Sequence, residues 1–95
     1  MNTLFLSNTN LTQFPENLPN TMEFLNLNNN QISKIPDNLS YNIANLNLGY
    51  NQIIKFPANL PNTIIGLYLR DNQITKIPDN LPDNLTYLNL ENNPI

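Results

Sequence analysis

The chain has 95 residues, of which 40% are apolar, and its formal net charge at pH 7 is −3. It contains no cysteine and no histidine, which argues against a disulfide framework and a metal site and leaves a serine nucleophile without its usual base. Only Lys34, Lys55, Arg70 and Lys76 are basic, too few for the clustered positive charge that nucleic acids and anionic membranes attract.

Short alternating segments follow one another along the whole chain with a single period. A leucine recurs every 21 residues without insertion, at Leu4, Leu25, Leu46, Leu67 and Leu88. A second leucine follows two positions later, at Leu6, Leu27, Leu48, Leu69 and Leu90. This alternation predicts one β-strand in each unit, with one side buried and the other free. The sequence thus predicts one repeat domain, 1–95, with units 1–21, 22–42, 43–63 and 64–84 and a partial unit 85–95.

The stretch that returns from one strand to the next is predicted to be extended. Two prolines four residues apart, such as Pro57 and Pro61, remove amide donors and push the residues before them to extended angles, which excludes a regular helix. Because all units run in the same direction, the strands are expected to pair in parallel, with the return stretches as the opposite wall. The remaining inward columns are Met1, Met22, Ile43, Ile64 and Leu85; Leu11, Ile32, Ile53, Ile74 and Ile95; Phe14, Ile35, Phe56 and Ile77; and Leu18, Leu39, Leu60 and Leu81.

Asparagine occupies the clearest polar column. It recurs at Asn30, Asn51, Asn72 and Asn93, while Thr9 holds the same position in the first unit. This column lies between two apolar columns, so its side chains are expected to point inward. A carboxamide both donates and accepts hydrogen bonds, and it can satisfy buried backbone groups where the chain leaves a strand. The sequence therefore predicts a structural asparagine ladder.

The pattern of one unit, Leu46-Asn-Leu48-x-x-Asn51-x-Ile53-x-x-Phe56-Pro57, resembles the signature of leucine-rich repeats along the whole chain. The stretch Ile77-Pro78-Asp79-Asn80-Leu81-Pro82 is similar to the short proline-containing repeats of bacterial effectors, and the Asn- and Ile-rich composition to repeats of amoebae and their giant viruses. The resemblance implies a right-handed solenoid, placed by convention in the α/β class. It has a concave parallel sheet, an irregular, extended convex side and little or no helix, and it is used mostly for protein recognition.

Aromatic and polar residues flank and follow the strand leucines on the expected concave face. They are Phe5, Phe24, Asn26, Asn47, Tyr50, Tyr68, Arg70, Asp71, Tyr87, Asn89 and Glu91. Exposed rings beside Asn, Arg and carboxylates are typical of recognition surfaces, because rings supply contact area at low entropic cost. Strand propensity is the competing explanation, since Tyr and Phe are common in strands for other reasons.

The sequence therefore predicts a non-catalytic module that binds a protein or peptide, with no cofactor, no metal, no nucleic acid and no membrane. No apolar stretch approaches the length of about 20 residues that spans a bilayer, and the N-terminus lacks a signal pattern, so a cytoplasmic location is expected. Host cytosol is the corresponding expectation for an effector. Two alternatives remain: a homo-oligomer that stacks through uncapped terminal repeats, and the targeting part of a larger effector.

Overall fold

A computed structural model describes residues 2–37, 39 and 42–95 of the chain. The described residues form five strands, β1 (Thr3–Phe5), β2 (Phe24–Asn26), β3 (Asn45–Asn47), β4 (Gly66–Tyr68) and β5 (Tyr87–Asn89). They build one parallel sheet in chain order, and the described residues between them form no helix. The chain is thus a parallel β-solenoid of about four turns, as predicted. Among the described residues, no helix could span a membrane.

Paired residues on neighbouring strands are 21 positions apart, which is the period of the sequence. Leu4 pairs with Leu25, Leu25 with Leu46, and so on to Leu88, so each turn of the solenoid contains 21 residues. Backbone bonds continue the ladder beyond the short strands: the Leu48 amide donates to the Tyr68 carbonyl at 2.8 Å and the Tyr50 amide to the Arg70 carbonyl at 2.9 Å. This extension fixes the residues that follow each strand nearly as firmly as the strand itself.

Apolar columns from the middle turns fill the space between the sheet and the return stretches. Leu25, Leu46 and Leu67 are 0% exposed, as are most of the inward Ile and Leu residues around them. Each such side chain contributes about 1.5–3 kcal/mol by leaving water.

Three residues that were predicted to point into the core are exposed, so these predictions were wrong. Ile77, Leu81 and Ile95 are 40%, 38% and 60% exposed. In the central turns the following turn covers the equivalent positions, but within the 95 residues no further return stretch lies over these three. The assignment of Met1 to the core lies outside the described residues.

The third residue after each strand adopts a left-handed backbone conformation, and in the first turn Asn10 and Asn17 do so as well. The residues at this third position are Asn8, Asn29, Tyr50, Asp71 and Asn92, with φ between 56° and 60°. Asn and Asp tolerate this region better than other non-glycine residues, whereas a bulky Tyr is strained there. The left-handed residue directly precedes the position of the asparagine ladder.

The ladder asparagines tie successive turns together. Asn30, Asn51 and Asn72 are only 7–8% exposed. The Asn51 amino group donates to Leu48 O in its own turn at 3.1 Å and to Leu27 O in the previous turn at 3.0 Å. Its oxygen accepts the Ile32 amide at 3.0 Å. The same pattern recurs at Asn72, and it holds the end of each strand in a fixed position.

Candidate functional site

We use the term sheet face for the side chains that point away from the core on the five strands and on the residues that follow each strand as far as the left-handed position. All eleven residues predicted for recognition lie on this face, and none of them is buried. Phe5, Tyr50 and Tyr87 are the most exposed of the described aromatic residues, at 64%, 43% and 62%. The parallel register lines up Phe5, Asn26, Asn47, Tyr68 and Asn89 in one row across the sheet.

Three of the predicted residues surround the guanidinium of a fourth, Arg70. Arg70 Nε donates to Asp71 Oδ2 at 2.9 Å, and Arg70 Nη2 lies 3.8 Å from Glu91 Oε2. Arg70 Cζ lies 5.4 Å from the centre of the Tyr50 ring, a cation–π contact. The Asn92 amino group approaches the Asp71 carboxylate at 3.3 Å. We call Tyr50, Arg70, Asp71 and Glu91 the Arg70 cluster.

The contacts of the cluster favour the charged form of the guanidinium. The hydrogen bond to Asp71 makes the largest contribution to raising the pKa of Arg70 above its ordinary value, and Tyr50 makes the next largest. Glu91 raises this pKa further, while partial burial opposes the shift. Like any arginine, Arg70 is a cation at neutral pH, and its contacts with residues of its own turn and of the two neighbouring turns define its orientation. The Arg70 guanidinium lies between the carboxylates of Asp71 and Glu91 and contacts both.

An aromatic pair lies at the other end of the sheet. The rings of Phe5 and Phe24 are 5.5 Å apart between centroids and inclined by 61°, an edge-to-face arrangement. Tyr87 lies on the last strand, in the same row as Phe24 but three strands away. The predicted aromatic residues are therefore spread along the face, from the Phe5–Phe24 pair at one end to Tyr87 on the last strand.

The sheet-face asparagines have fixed amide orientations. The side-chain oxygens of Asn26, Asn47 and Asn89 each accept a backbone amide two residues later, at 3.0 Å in all three cases. Each amino group must then point the opposite way, and within the described residues none of the three makes a hydrogen bond. These asparagines thus present unpaired donors to solvent on the sheet face.

Both glycines of the chain make room on this face. Neither has a positive φ, so the backbone does not require glycine at either position. A Cβ on Gly66 would lie 2.5 Å from Asn45 Oδ1 and 3.0 Å from the Tyr68 ring. A Cβ on Gly49 would lie 2.7 Å from Asn28 Oδ1 and 3.3 Å from Arg70 Cγ. The glycines therefore leave space for the Tyr68 and Arg70 side chains to pack against the surface of the sheet.

Several residues of the sheet face and its surroundings were not predicted from the sequence. Asn28 and Asn45 share the face with the predicted residues, and Asn92 contacts the Asp71 carboxylate. The alternation that placed Asn26 and Asn47 outward would also have placed Asn28 and Asn45 there. The space-making role of Gly49 and Gly66 had no such signal, because it depends on side chains in neighbouring turns.

The described part of the chain offers no evident place for a metal ion. Within residues 2–37, 39 and 42–95, no group of three or more Asp or Glu side chains is arranged to hold one. Nor does any buried side-chain nitrogen or oxygen in that part lack a hydrogen-bond partner. The sheet face is an open surface that can form hydrogen bonds, ion pairs and aromatic contacts.

The geometry defines a class of protein: a parallel β-solenoid scaffold that repeats one 21-residue turn and holds a row of exposed side chains along its sheet. A family model described as Leucine Rich Repeat matches residues 21–42, and the matched pattern recurs in the other turns. The chain is a leucine-rich-repeat protein. Repeats of this family generally serve as protein-binding scaffolds rather than enzymes. A comparison with curated proteins found no match to the chain.

Proposed function

We propose that the chain is a non-catalytic module that recognises a protein or peptide through its sheet face. The observation that supports this proposal best is the convergence of the glycines, the strained Tyr50 and the Arg70 cluster on one part of that face. Backbone strain tends to persist at functional sites, where the side chain has a use that outweighs its conformational cost. A purely structural face would have no need for a tyrosine at a left-handed position that Asn fills in three other turns.

The area of the face limits the size of the partner. Five strands about 4.8 Å apart, each exposing about 20 Å of length, give a surface of about 500 Å². A standard interface buries about 800 Å² on each partner. We therefore propose an extended peptide segment, or a weakly bound protein, as the partner. A cytosolic setting is part of the proposal, since the chain has no cysteine that an oxidising compartment would pair.

The repeat itself supplies substitutions that test the sheet face without disturbing the fold. Tyr50→Asn, Tyr68→Asn and Arg70→Asn each introduce the residue that another turn has at the same position. A suitable control is Ile54→Thr, which removes a 56% exposed apolar side chain from a return stretch, where Thr12 and Thr75 occupy the equivalent position. The binding partner is selected from a random peptide library on the immobilised chain.

We expect the three sheet-face variants to lose most of the affinity for selected peptides, with Ile54→Thr retaining it. Thermal melts monitored by circular dichroism verify that all four variants are folded. Equal affinity of the wild type and the three sheet-face variants would show that binding takes place elsewhere.

End-to-end stacking of two copies is a second candidate, supported by the terminal turns. Leu4 and Leu88 are partly exposed, whereas their counterparts Leu25, Leu46 and Leu67 are fully buried. The first and last strands each have one neighbour in the sheet, so each could accept another turn. Light scattering distinguishes this candidate: a mass that rises with concentration supports stacking, and a constant monomer mass excludes it.

A further inference from the structure

The sheet face carries more negative than positive charge. Lys34, Lys55 and Lys76 are exposed residues of the return stretches, far along the chain from the strands. Arg70 is therefore the single basic residue of the sheet face, and all of its residues are described. It faces the two carboxylates of Asp71 and Glu91, so the cluster has a net charge of −1.

Arg70 is poorly placed to bind an anion. Its Nε is engaged by Asp71 at 2.9 Å, and its Nη2 lies 3.8 Å from Glu91. The Tyr50 ring contacts the guanidinium. A carboxylate that approached Arg70 would meet two carboxylates already in place, and like charges repel at this distance. The geometry thus disfavours an acidic partner segment.

Glu91 is the group that is free to take up a cation. Asp71 accepts from both Arg70 and Asn92, and its side chain is only 29% exposed. The Glu91 side chain is 62% exposed, and among the described residues its carboxylate makes only the long contact to Arg70. A lysine or arginine of a partner can therefore pair with Glu91 without breaking a short hydrogen bond.

The remaining features of the face suit the backbone and side chains of an extended segment. The unpaired amino groups of Asn26, Asn47 and Asn89 are donors, and the carbonyl oxygens of an extended peptide are the matching acceptors. Exposed rings, among them Tyr50 and Tyr87, can cover the alkyl part of a long cationic side chain. The net charge of −3 on the chain adds a general attraction for basic partners.

We infer that the partner segment is an extended peptide that presents a lysine or arginine to Glu91. This inference rests on the proposed function and adds the chemistry of the partner to it. The charge pair sets which peptides bind, while the rings and asparagine donors supply contacts that do not depend on charge.

The test is selection of a random heptapeptide library on the immobilised full chain, followed by titration of one selected synthetic peptide. We expect Lys and Arg to be enriched among the bound peptides. Glu91→Gln should weaken the selected peptide about fivefold, the upper end for an exposed ion pair, and added NaCl should reduce the difference. Glu16→Gln, at an exposed site in the first return stretch, is the matched control and should leave the affinity unchanged.

The outcomes separate this inference from the proposed function. Peptides without a preference for Lys or Arg, or with a preference for Asp and Glu, that still lose affinity with Tyr68→Asn would overturn the inference and leave the binding face in place. Peptides that bind equally well to the wild type and to Tyr68→Asn, or the absence of any selected peptide, would overturn both. Circular dichroism melts of every variant verify that the fold is intact.

Discussion

Replacement of Asn51 by alanine tests how the solenoid holds its turns together. The Asn51 side chain is 8% exposed and bonds to backbone groups of two turns. Its oxygen is the only acceptor for the Ile32 amide within the described residues. The variant Asn51→Ala removes this acceptor at a site that water cannot easily reach.

The magnitude follows from which backbone groups lose their partners. Leu27 O keeps a hydrogen bond from Asn30 Nδ2 at 3.0 Å, and Leu48 O keeps one from Asn72 Nδ2 at 2.9 Å. The Ile32 amide is left without a partner, and an unsatisfied buried donor costs about 1–3 kcal/mol. We therefore expect Asn51→Ala to lower the free energy of unfolding by about 2 kcal/mol.

Urea denaturation followed by circular dichroism measures this loss, which corresponds to a fall in melting temperature of about 8–16 °C for a domain of this size. The matched control is Asn45→Ala, on β3. The Asn45 side chain is partly exposed and makes no hydrogen bond to any described residue, so a change below about 0.5 kcal/mol is expected. Equal losses in the two variants would refute the role assigned to the ladder.

Three further predictions concern strain, space and packing. Tyr50→Asn should leave the melting temperature unchanged or raise it. The variant relieves left-handed backbone strain of about 1–2 kcal/mol and loses a cation–π contact worth about 0.5–1 kcal/mol. A clear fall in melting temperature would show that the tyrosine is not strained. Gly66→Ala should lack the usual stabilisation of about 0.4–1 kcal/mol and should weaken peptide binding by displacing Tyr68; titration with a selected peptide checks this, and unchanged affinity would contradict it. Leu67→Ala should destabilise by about 2–5 kcal/mol in urea, and a loss below 1 kcal/mol would contradict its place in the core.

The architecture was predictable because a strict period constrains every turn at once. A slip of one residue in any strand would expose its leucines, so the 21-residue spacing of Leu25 and Leu46 determines the parallel register. The exposure of Ile77 and Leu81 was not predicted, because a periodic pattern treats each turn as covered by the next. Burial at the ends of a solenoid depends on what lies beyond the last turn.

The candidate site was predictable only as a set of positions. Alternation places Tyr68 and Asn47 opposite the buried leucines, but it does not specify their contacts. The left-handed conformation of Tyr50 could not be recognised from a tyrosine, although the asparagines at the same position in other turns were a signal. The partners of Arg70 depend on side-chain directions in two neighbouring turns, which no spacing in the sequence determines.

Chemical-shift mapping tests the central claim, that the sheet face is the binding surface, most directly. A selected peptide is titrated into the ¹⁵N-labelled chain, and the backbone and asparagine side-chain amide signals are followed. We expect the largest shifts in β2 to β5, in the amino groups of Asn26 and Asn47 and in the amide of Arg70, with the return stretches unchanged. Shifts confined to the return stretches, with the strand signals unmoved, would contradict the account.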